Sequence, residues 1–122
     1  MLDTRTDLRA MLKDPSLLET RAFVAGEWVS ADDGRTFEVR NPARGDVIAE
    51  VADLTRAETA RAIAAAELAQ KEWAARTGKE RAGVLRKWYE LMVANADDLA
   101  AILTAEMGKP LAEAKGEILY GA

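Results

Sequence analysis

Cysteine and histidine are both absent from the 122 residues of this chain. Without cysteine the chain forms no disulfide bond and supplies no thiolate nucleophile. Without histidine as well, a zinc ion would find only carboxylate ligands, and such a site is rare in proteins. The composition therefore argues against a metal centre, a disulfide-linked fold and thiolate catalysis within this stretch.

Strong charge of one sign and long apolar runs are also lacking. The formal net charge is −4, and 17 Lys and Arg residues are interspersed among 21 Asp and Glu residues. A nucleic-acid partner is not expected, because no basic patch is present. No run approaches the ~18 apolar residues of a membrane span. Residues 1–14 lack the apolar core of a signal peptide, so we expect a cytoplasmic protein without a membrane partner.

Short β-like runs separated by turn residues occupy residues 23–54. Phe23-Val24 and Trp28-Val29 flank Ala25-Gly26-Glu27, which predicts a tight hairpin with glycine at a positive φ. Further turns and strands are predicted at Asp32-Asp33-Gly34, 36–40, 41–46 and 47–51. Three or four strands in about thirty residues are too few to bury both faces of a sheet alone.

From Thr55 onward the sequence predicts helices. Thr55 with Glu58, and Thr77 with Glu80, fit the capping box that satisfies orphan amides at a helix start. Asn95 with Asp98 predicts the cap of a third helix. Gly108 has the position of a left-handed C-terminal residue, and Pro110 is expected to open a last helix.

Apolar residues at three- and four-residue steps predict the buried faces of these helices. The faces are Ile63, Ala66, Gln70 and Trp73; Leu85, Trp88 and Met92; Leu99, Ile102, Leu103 and Met107; and Leu111, Ala114 and Ile118. The three tryptophans, Trp28, Trp73 and Trp88, are interpreted as packing residues rather than as the lining of a ligand pocket.

The last helix carries no stop signal before Ala122, since neither a basic last turn nor a proline follows. We therefore expect an N-terminal piece of a longer protein, incomplete at its C-terminus. Residues 1–22 are predicted to be a helical or extended segment, 23–54 a hairpin with short strands, and 55–122 the helical part of an α/β domain. Leu99, Ile102, Leu103, Leu111 and Ile118 should then be partly exposed, and such apolar patches favour self-association.

Two features resemble chemical motifs. Gly108-Lys109 is followed by proline and lacks upstream glycines, so it does not fit a phosphate-binding loop. Asp32-Asp33 and Asp97-Asp98 are paired acids, but the first pair lies in a turn and the second in a helix first turn, where the dipole favours acids. We assign both pairs structural roles, and we assign no catalytic, cofactor-binding or metal-binding residue to this chain.

The order of several motifs resembles the opening of the aldehyde dehydrogenase superfamily. The motifs are the runs at 23–29 and 41–51, the alanine-rich helix ending in Trp73, the Lys79-Glu80-Arg81 helix start, and 106–111. Within the superfamily, residues 86–92 and 110–120 most resemble bacterial succinate-semialdehyde dehydrogenases.

This resemblance implies an enzyme with a Rossmann-type cofactor domain, a catalytic domain and an oligomerisation arm. It implies that this chain is the outer, N-terminal part of the cofactor domain, with residues 55–122 as its helical part, truncated in the last helix. Such enzymes oxidise an aldehyde with NAD or NADP: a cysteine thiolate attacks the carbonyl, hydride passes to the nicotinamide, and a glutamate activates water. The implied substrate is succinate semialdehyde from 4-aminobutyrate breakdown, and the implied assembly is a homo-oligomer. Because this chain has no cysteine, we expect it to lack activity and to bind no cofactor by itself.

Two alternatives remain open from the sequence. One is an aldehyde dehydrogenase for glycolaldehyde, betaine aldehyde or a medium-chain aldehyde. The other is a helical interaction module without enzymatic activity, which the clear caps and amphipathic faces would suit.

Overall fold

The computed structural model describes residues 7–122, which form a mixed α/β chain of short antiparallel strand pairs followed by helices. The predictions for residues 1–6 lie outside the described residues. The elements are α1 (Leu8–Met11), a 3-10 turn (Pro15–Leu17), β1 (Ala22–Val24), β2 (Glu27–Val29), β3 (Thr36–Arg40), β4 (Val47–Ala52), α2 (Arg56–Ala75), α3 (Gly78–Ala94), α4 (Ala96–Met107) and α5 (Leu111–Gly121). None of these helices is long and apolar enough to cross a membrane.

The β1–β2 pair is the predicted tight hairpin. Ala25 and Gly26 form its two-residue turn with φ values of 51° and 84°. Two consecutive positive φ values are those of a type I′ turn, whose twist matches the flanking strands. Glu27 belongs to the second strand, where it pairs with Val24. The prediction is confirmed, with the turn one residue shorter than the sequence suggested.

The β3–β4 pair is a second hairpin, closed by a longer loop. The Asn41 amide donates to the Asp46 carbonyl at 2.9 Å, and the Gly45 amide donates to the Asn41 carbonyl at 2.7 Å. Gly45 has a φ of 78°, a conformation that glycine adopts without strain. Both predicted strands are present, and β4 extends to Ala52.

Both predicted capping boxes are confirmed. The Thr55 amide donates to Glu58 Oε2 at 2.5 Å, and the Glu58 amide donates to Thr55 Oγ1 at 3.4 Å. At α3 the Thr77 amide donates to Glu80 Oε2 at 2.8 Å, and the Glu80 amide donates to Thr77 Oγ1 at 3.2 Å. These reciprocal bonds fix the first residue of each helix.

The predicted cap of α4 by Asn95 and Asp98 is wrong. The Asn95 side chain makes no capping bond, and its Nδ2 donates instead to the Leu91 carbonyl at 2.8 Å. Asn95 alone separates α3 from α4, and its φ of −107° and ψ of 17° are not the extended angles of a capping residue. Asp98 is therefore free to bind elsewhere.

The predicted end of α4 is confirmed. Gly108 has a φ of 82°, and its amide donates to the Thr104 carbonyl at 2.9 Å. A Cβ at this position would lie 3.1 Å from Pro42 Cγ, so glycine is favoured both by the backbone angle and by the close neighbour. Pro110 precedes α5 as its N-cap residue, one position before the first helical residue.

The chain divides into two compact units. The first contains the described residues up to Glu19 together with 38–49 and 88–122, and the second contains 20–37 and 50–87. In the first unit, α5 packs on α4, and a leucine cluster lies against partly buried apolar residues. The cluster is Leu8, Leu12 and Leu18, packed on Ile48, Ala101, Ile102 and Ala105. In the second unit, the residues identified as buried are Ala31 and Glu58.

Within this chain the tryptophans are not buried, so their predicted packing in a longer protein stays a prediction. Trp88 is 63% exposed and Trp28 is 49% exposed, while Trp73 is half-buried. The face predicted for α2 is likewise uncovered within this chain, because Ile63 is 64% exposed and the helix here buries Glu58. A helix face becomes buried only where a second layer covers it, and periodicity does not supply that layer.

The partial exposure predicted for the last two helices is present. Leu99, Ile102, Leu103 and Ile118 are half-buried, and Leu111 is exposed. Ala114 is completely buried, because its small side chain allows a close approach to its neighbours. The α5 face predicted from Leu111, Ala114 and Ile118 is therefore covered only near its middle.

Candidate functional site

Glu58 is the carboxylate identified as buried in the second unit. It is 5% exposed, and its two oxygens accept hydrogen bonds from the backbone amides of Thr55 and Asp32. These two amides, in that order, are the main reason that the pKa of Glu58 is lowered to about 2. The sequence predicts the bond to Thr55 but contains no signal for the bond to Asp32, which joins the loop after β2 to the first turn of α2.

Asp98 is the corresponding buried carboxylate of the first unit, and it too binds backbone amides. It is 7% exposed, and its Oδ1 and Oδ2 accept from the backbone amides of Lys13 and Asp14 at 3.0 and 2.8 Å. The carboxylate thereby holds the segment after α1 against α4. Its partners lie 85 and 84 residues away in sequence, so no local pattern could have identified them.

The acidic pairs singled out in the sequence are divided among separate partners. Asp32 Oδ2 accepts from Arg61 at 2.7 Å, and this contact raises the pKa of the Arg61 guanidinium. Asp33 binds Arg35 at 2.7 Å. Among residues 7–122, no group of three or more Asp or Glu side chains is arranged to hold a metal ion. The geometry therefore supports a structural role for this pair.

The second acidic pair is also divided. Asp97 accepts from Lys115 Nζ at 2.6 Å, and this hydrogen bond lowers the pKa of the Asp97 carboxyl. Lys109, from the Gly-Lys motif, forms an ion pair with Glu117 on α5. The first pair joins α5 to the first turn of α4, and the second pair joins α5 to the turn that precedes it. The contacts of Lys109 and Gly108 are those of a helix stop rather than of a phosphate cradle.

A cavity of about 500 Å³ lies within the first unit. Its wall is mainly apolar, with Leu8, Met11 and Leu111 among its lining residues. Thr104 also lines it, and the buried Thr104 hydroxyl lacks a hydrogen-bond partner among the described residues. Arg44 contributes a positive charge, which is paired with Asp46 at 2.9 Å. The cavity brings together no pair of titratable groups suited to proton transfer.

The strands of the described residues are not arranged as in a dinucleotide-binding unit. Such a unit is built on parallel strands, with a glycine-rich turn that directs the amides of a helix N-terminus at the pyrophosphate. Here both sheets consist of two strands joined as hairpins. At the starts of α2 and α3 the amides of Glu58 and Glu80 donate to the hydroxyls of Thr55 and Thr77. The start of α2, which follows β4, is therefore occupied by hydrogen bonds within the protein.

Comparison with known proteins identifies the family. The sequence profile of the aldehyde dehydrogenase family matches residues 28–122. A glutarate-semialdehyde dehydrogenase of Pseudomonas putida is 55% identical over 111 residues, which cover 91% of this chain and 23% of the relative. A succinate-semialdehyde dehydrogenase (NADP(+)) of Escherichia coli is 49% identical, again covering 91% of this chain and 23% of the relative.

Solved structures agree in fold. A succinate-semialdehyde dehydrogenase from Burkholderia pseudomallei matches with a TM-score of 0.87 and 57% identity, covering 89% of this chain and 23% of that one. An indole-3-acetaldehyde dehydrogenase from P. syringae, solved with NAD+, matches with a TM-score of 0.79 and 32% identity over 84% of this chain and 21% of that one. This chain thus spans about a quarter of the length of the relatives it matches, and it belongs to the aldehyde dehydrogenase family.

Proposed function

We propose that this chain is the N-terminal part of an NAD(P)-dependent aldehyde dehydrogenase that oxidises succinate semialdehyde to succinate. The observation that carries the proposal is the family match over residues 28–122, joined to the 57% identity with the Burkholderia pseudomallei succinate-semialdehyde dehydrogenase. The role in 4-aminobutyrate breakdown, the cytoplasmic location and the homo-oligomeric assembly belong to the same proposal.

A second substrate is favoured by a specific observation. The relative from Pseudomonas putida, named for glutarate semialdehyde, is 55% identical to this chain. Succinate and glutarate semialdehydes carry the same aldehyde and carboxylate and differ by one methylene. When two substrates differ by one methylene, a binding pocket typically gives one of them a kcat/KM about 10- to 200-fold above that of the other. The choice between the two substrates is therefore measurable in one assay.

The experiment uses the protein encoded by the complete gene. We expect NADP or NAD reduction with both semialdehydes, with kcat/KM for succinate semialdehyde about tenfold or more above that for glutarate semialdehyde. Butyraldehyde, which has the C4 chain without the carboxylate, is the matched control and should be the poorest substrate. A preference for glutarate semialdehyde would select the second candidate, whereas the best turnover with butyraldehyde would contradict both.

Within that enzyme, we propose a supporting role for residues 7–122. These residues contain no cysteine, so the nucleophile would come from another part of the protein. Their buried carboxylates bind backbone amides and hold secondary structure elements together. We expect purified chain of residues 1–122 to give no NAD or NADP reduction with succinate semialdehyde. Turnover above the buffer background would contradict this role.

A further inference from the structure

Residues 7–18 form a short segment that is braced largely by its own contacts, and we name it the strap. The guanidinium of Arg9 donates to the Pro15 carbonyl at 3.0 Å and to the Leu18 carbonyl at 2.7 Å. The Asp14 carboxylate caps the 3-10 turn by accepting from the Ser16 amide at 3.0 Å. Because these bonds lie within the strap, they would survive if the strap moved as one piece.

Among the described residues, the Asp98 side chain joins the backbone of the strap to α4. The Asp98 carboxylate accepts hydrogen bonds from the amides of Lys13 and Asp14, and the residue is only 7% exposed. Hydrogen bonds to an ionised acceptor are roughly twice as strong as those between neutral groups. Both bonds break together if the strap leaves α4, so the Asp98 carboxylate acts as a single clamp.

The strap also forms a wall of the cavity in the first unit. Its residues Leu8 and Met11 line the cavity together with Ile48, Ala101 and Ala105 from other parts of the unit. The buried side chain of Leu8 belongs to the leucine cluster that packs on these residues. Movement of the strap away from α4 would therefore open the cavity and expose its apolar wall.

We propose that the strap opens and closes over this cavity as one unit, and that the Asp98 carboxylate sets how often it opens. The buried leucines keep the closed state dominant, because each fully buried leucine favours it through apolar burial. The clamp adds a polar contribution that one substitution can remove. Local opening of this kind occurs below the free energy of global unfolding and is detected by hydrogen exchange. This inference does not depend on which aldehyde the enzyme oxidises.

The test is amide hydrogen exchange with and without the clamp, in the protein encoded by the complete gene. In Asp98→Asn, exchange at Lys13 and Asp14 should be faster by about 10- to 100-fold, the effect of losing charged acceptors. Amides inside α2, which belongs to the second unit, should stay within about twofold if opening is local. Unchanged exchange at Lys13 and Asp14, or an equal rise at all amides, would overturn the proposal.

Asp97→Asn is the matched control, because it removes the adjacent carboxylate, which hydrogen-bonds to Lys115 and reaches the strap only through a weaker charge interaction with Lys13. It should leave exchange at Lys13 and Asp14 within about twofold of wild type. An equal acceleration in both variants would attribute the effect to net charge and would overturn the proposal.

A measurement on the wild type guards against misfolding of the Asp98 variant. With increasing denaturant, the exchange of Lys13 and Asp14 should depend less on denaturant than that of buried α4 amides, because opening of the strap exposes less surface than global unfolding. An equal dependence would show that the strap opens only when the whole unit unfolds.

Discussion

The two units of this chain bury different kinds of groups. The first buries leucines at positions 8, 12 and 18, and it also buries alanines of α4 and α5. The second, within the described residues, buries Ala31 and the carboxylate of Glu58. Apolar burial is the dominant favourable term in folding, whereas the net contribution of a hydrogen bond to stability is far smaller. The first unit thus has an internal apolar source of stability, and the second depends more on its polar contacts.

The two units are alike, however, in exposing large apolar side chains. Trp88 and Leu91, in the part of α3 assigned to the first unit, are mostly exposed, as are Ile63, Leu68 and Leu85 of the second unit. The family relatives are about four times as long as the matched stretch. In the longer enzyme proposed above, we expect these side chains to be packed. Contacts present within residues 7–122 should then respond to substitution in the short and the long protein alike, and the others only in the long one.

The largest expected effect is that of Trp88→Ala in the complete enzyme. If the exposed indole is covered there, truncation should lower stability by about 3–5 kcal/mol through lost burial and the resulting cavity. In the chain of residues 1–122 the same change should have a small effect, because Trp88 is already 63% exposed. Thermal melts of both proteins, with and without the substitution, make this comparison.

Steady-state kinetics of the complete enzyme distinguish packing from substrate binding at Trp88. The variant should keep near-normal KM values for aldehyde and cofactor while melting at a lower temperature. A wild-type melt combined with a raised KM for one substrate would mean that Trp88 lines the active site.

Leu12→Ala tests the internal core of the first unit. Leu12 is buried in the leucine cluster, and its truncation should cost about 2–5 kcal/mol. The effect should be present in the complete enzyme and, unlike that of Trp88, also in residues 1–122 alone. Met11→Ala, at the neighbouring exposed position, is the control and should change the melting temperature little. Equal effects of the two substitutions would contradict the assigned core.

Acid should weaken the second unit through Glu58. The pKa of Glu58 is about 2 in the folded chain, below the ~4.3 of an unfolded glutamate. Between these values the unfolded state binds more protons, so this stabilisation is fully present above about pH 4.3 and is lost as the pH falls toward 2. Melts of wild type from pH 6 to pH 2 should show this loss.

The Glu58→Gln variant provides the comparison, since the amide side chain of glutamine does not titrate in this pH range. Its melting temperature should lie below that of wild type at pH 6, and the difference should shrink as the pH falls. Glu67→Gln, an exposed position on α2, should retain the wild-type pH dependence. If Glu58→Gln and Glu67→Gln behave alike, the hydrogen bonds of Glu58 do not set the acid sensitivity.

The features that the sequence predicts correctly are those whose partners are near in sequence. The two threonine capping boxes bond across three residues, and the hairpin turn depends on Ala25-Gly26 alone. Gly108 likewise ends α4 through its own backbone angle. Such signals are local hydrogen-bond or dihedral preferences, so they do not require knowledge of the rest of the fold.

The features that the sequence does not predict have distant partners. Asp98 resembles a helix cap because it follows Asn95 by three residues, yet it binds amides more than eighty residues earlier. In α2, alanines occupy every face, so the periodicity of Ile63 and Trp73 does not define the covered side. Periodicity shows which residues share a face, but burial depends on what packs there.

The smallest expected effects come from replacing glycine by alanine at two positions, Gly108 and Gly116. Gly108→Ala should destabilise the first unit by about 1–2 kcal/mol, because an L-residue is strained in the left-handed region. The close Pro42 Cγ, 3.1 Å from the added Cβ, would oppose the change further. Gly116→Ala, inside α5, should instead stabilise by about 0.5–1 kcal/mol, because glycine is a poor helix former and no atom lies within 4 Å of the new Cβ. Urea titrations measure both signs, and a stabilising effect at position 108 would mean that the left-handed end of α4 is not required.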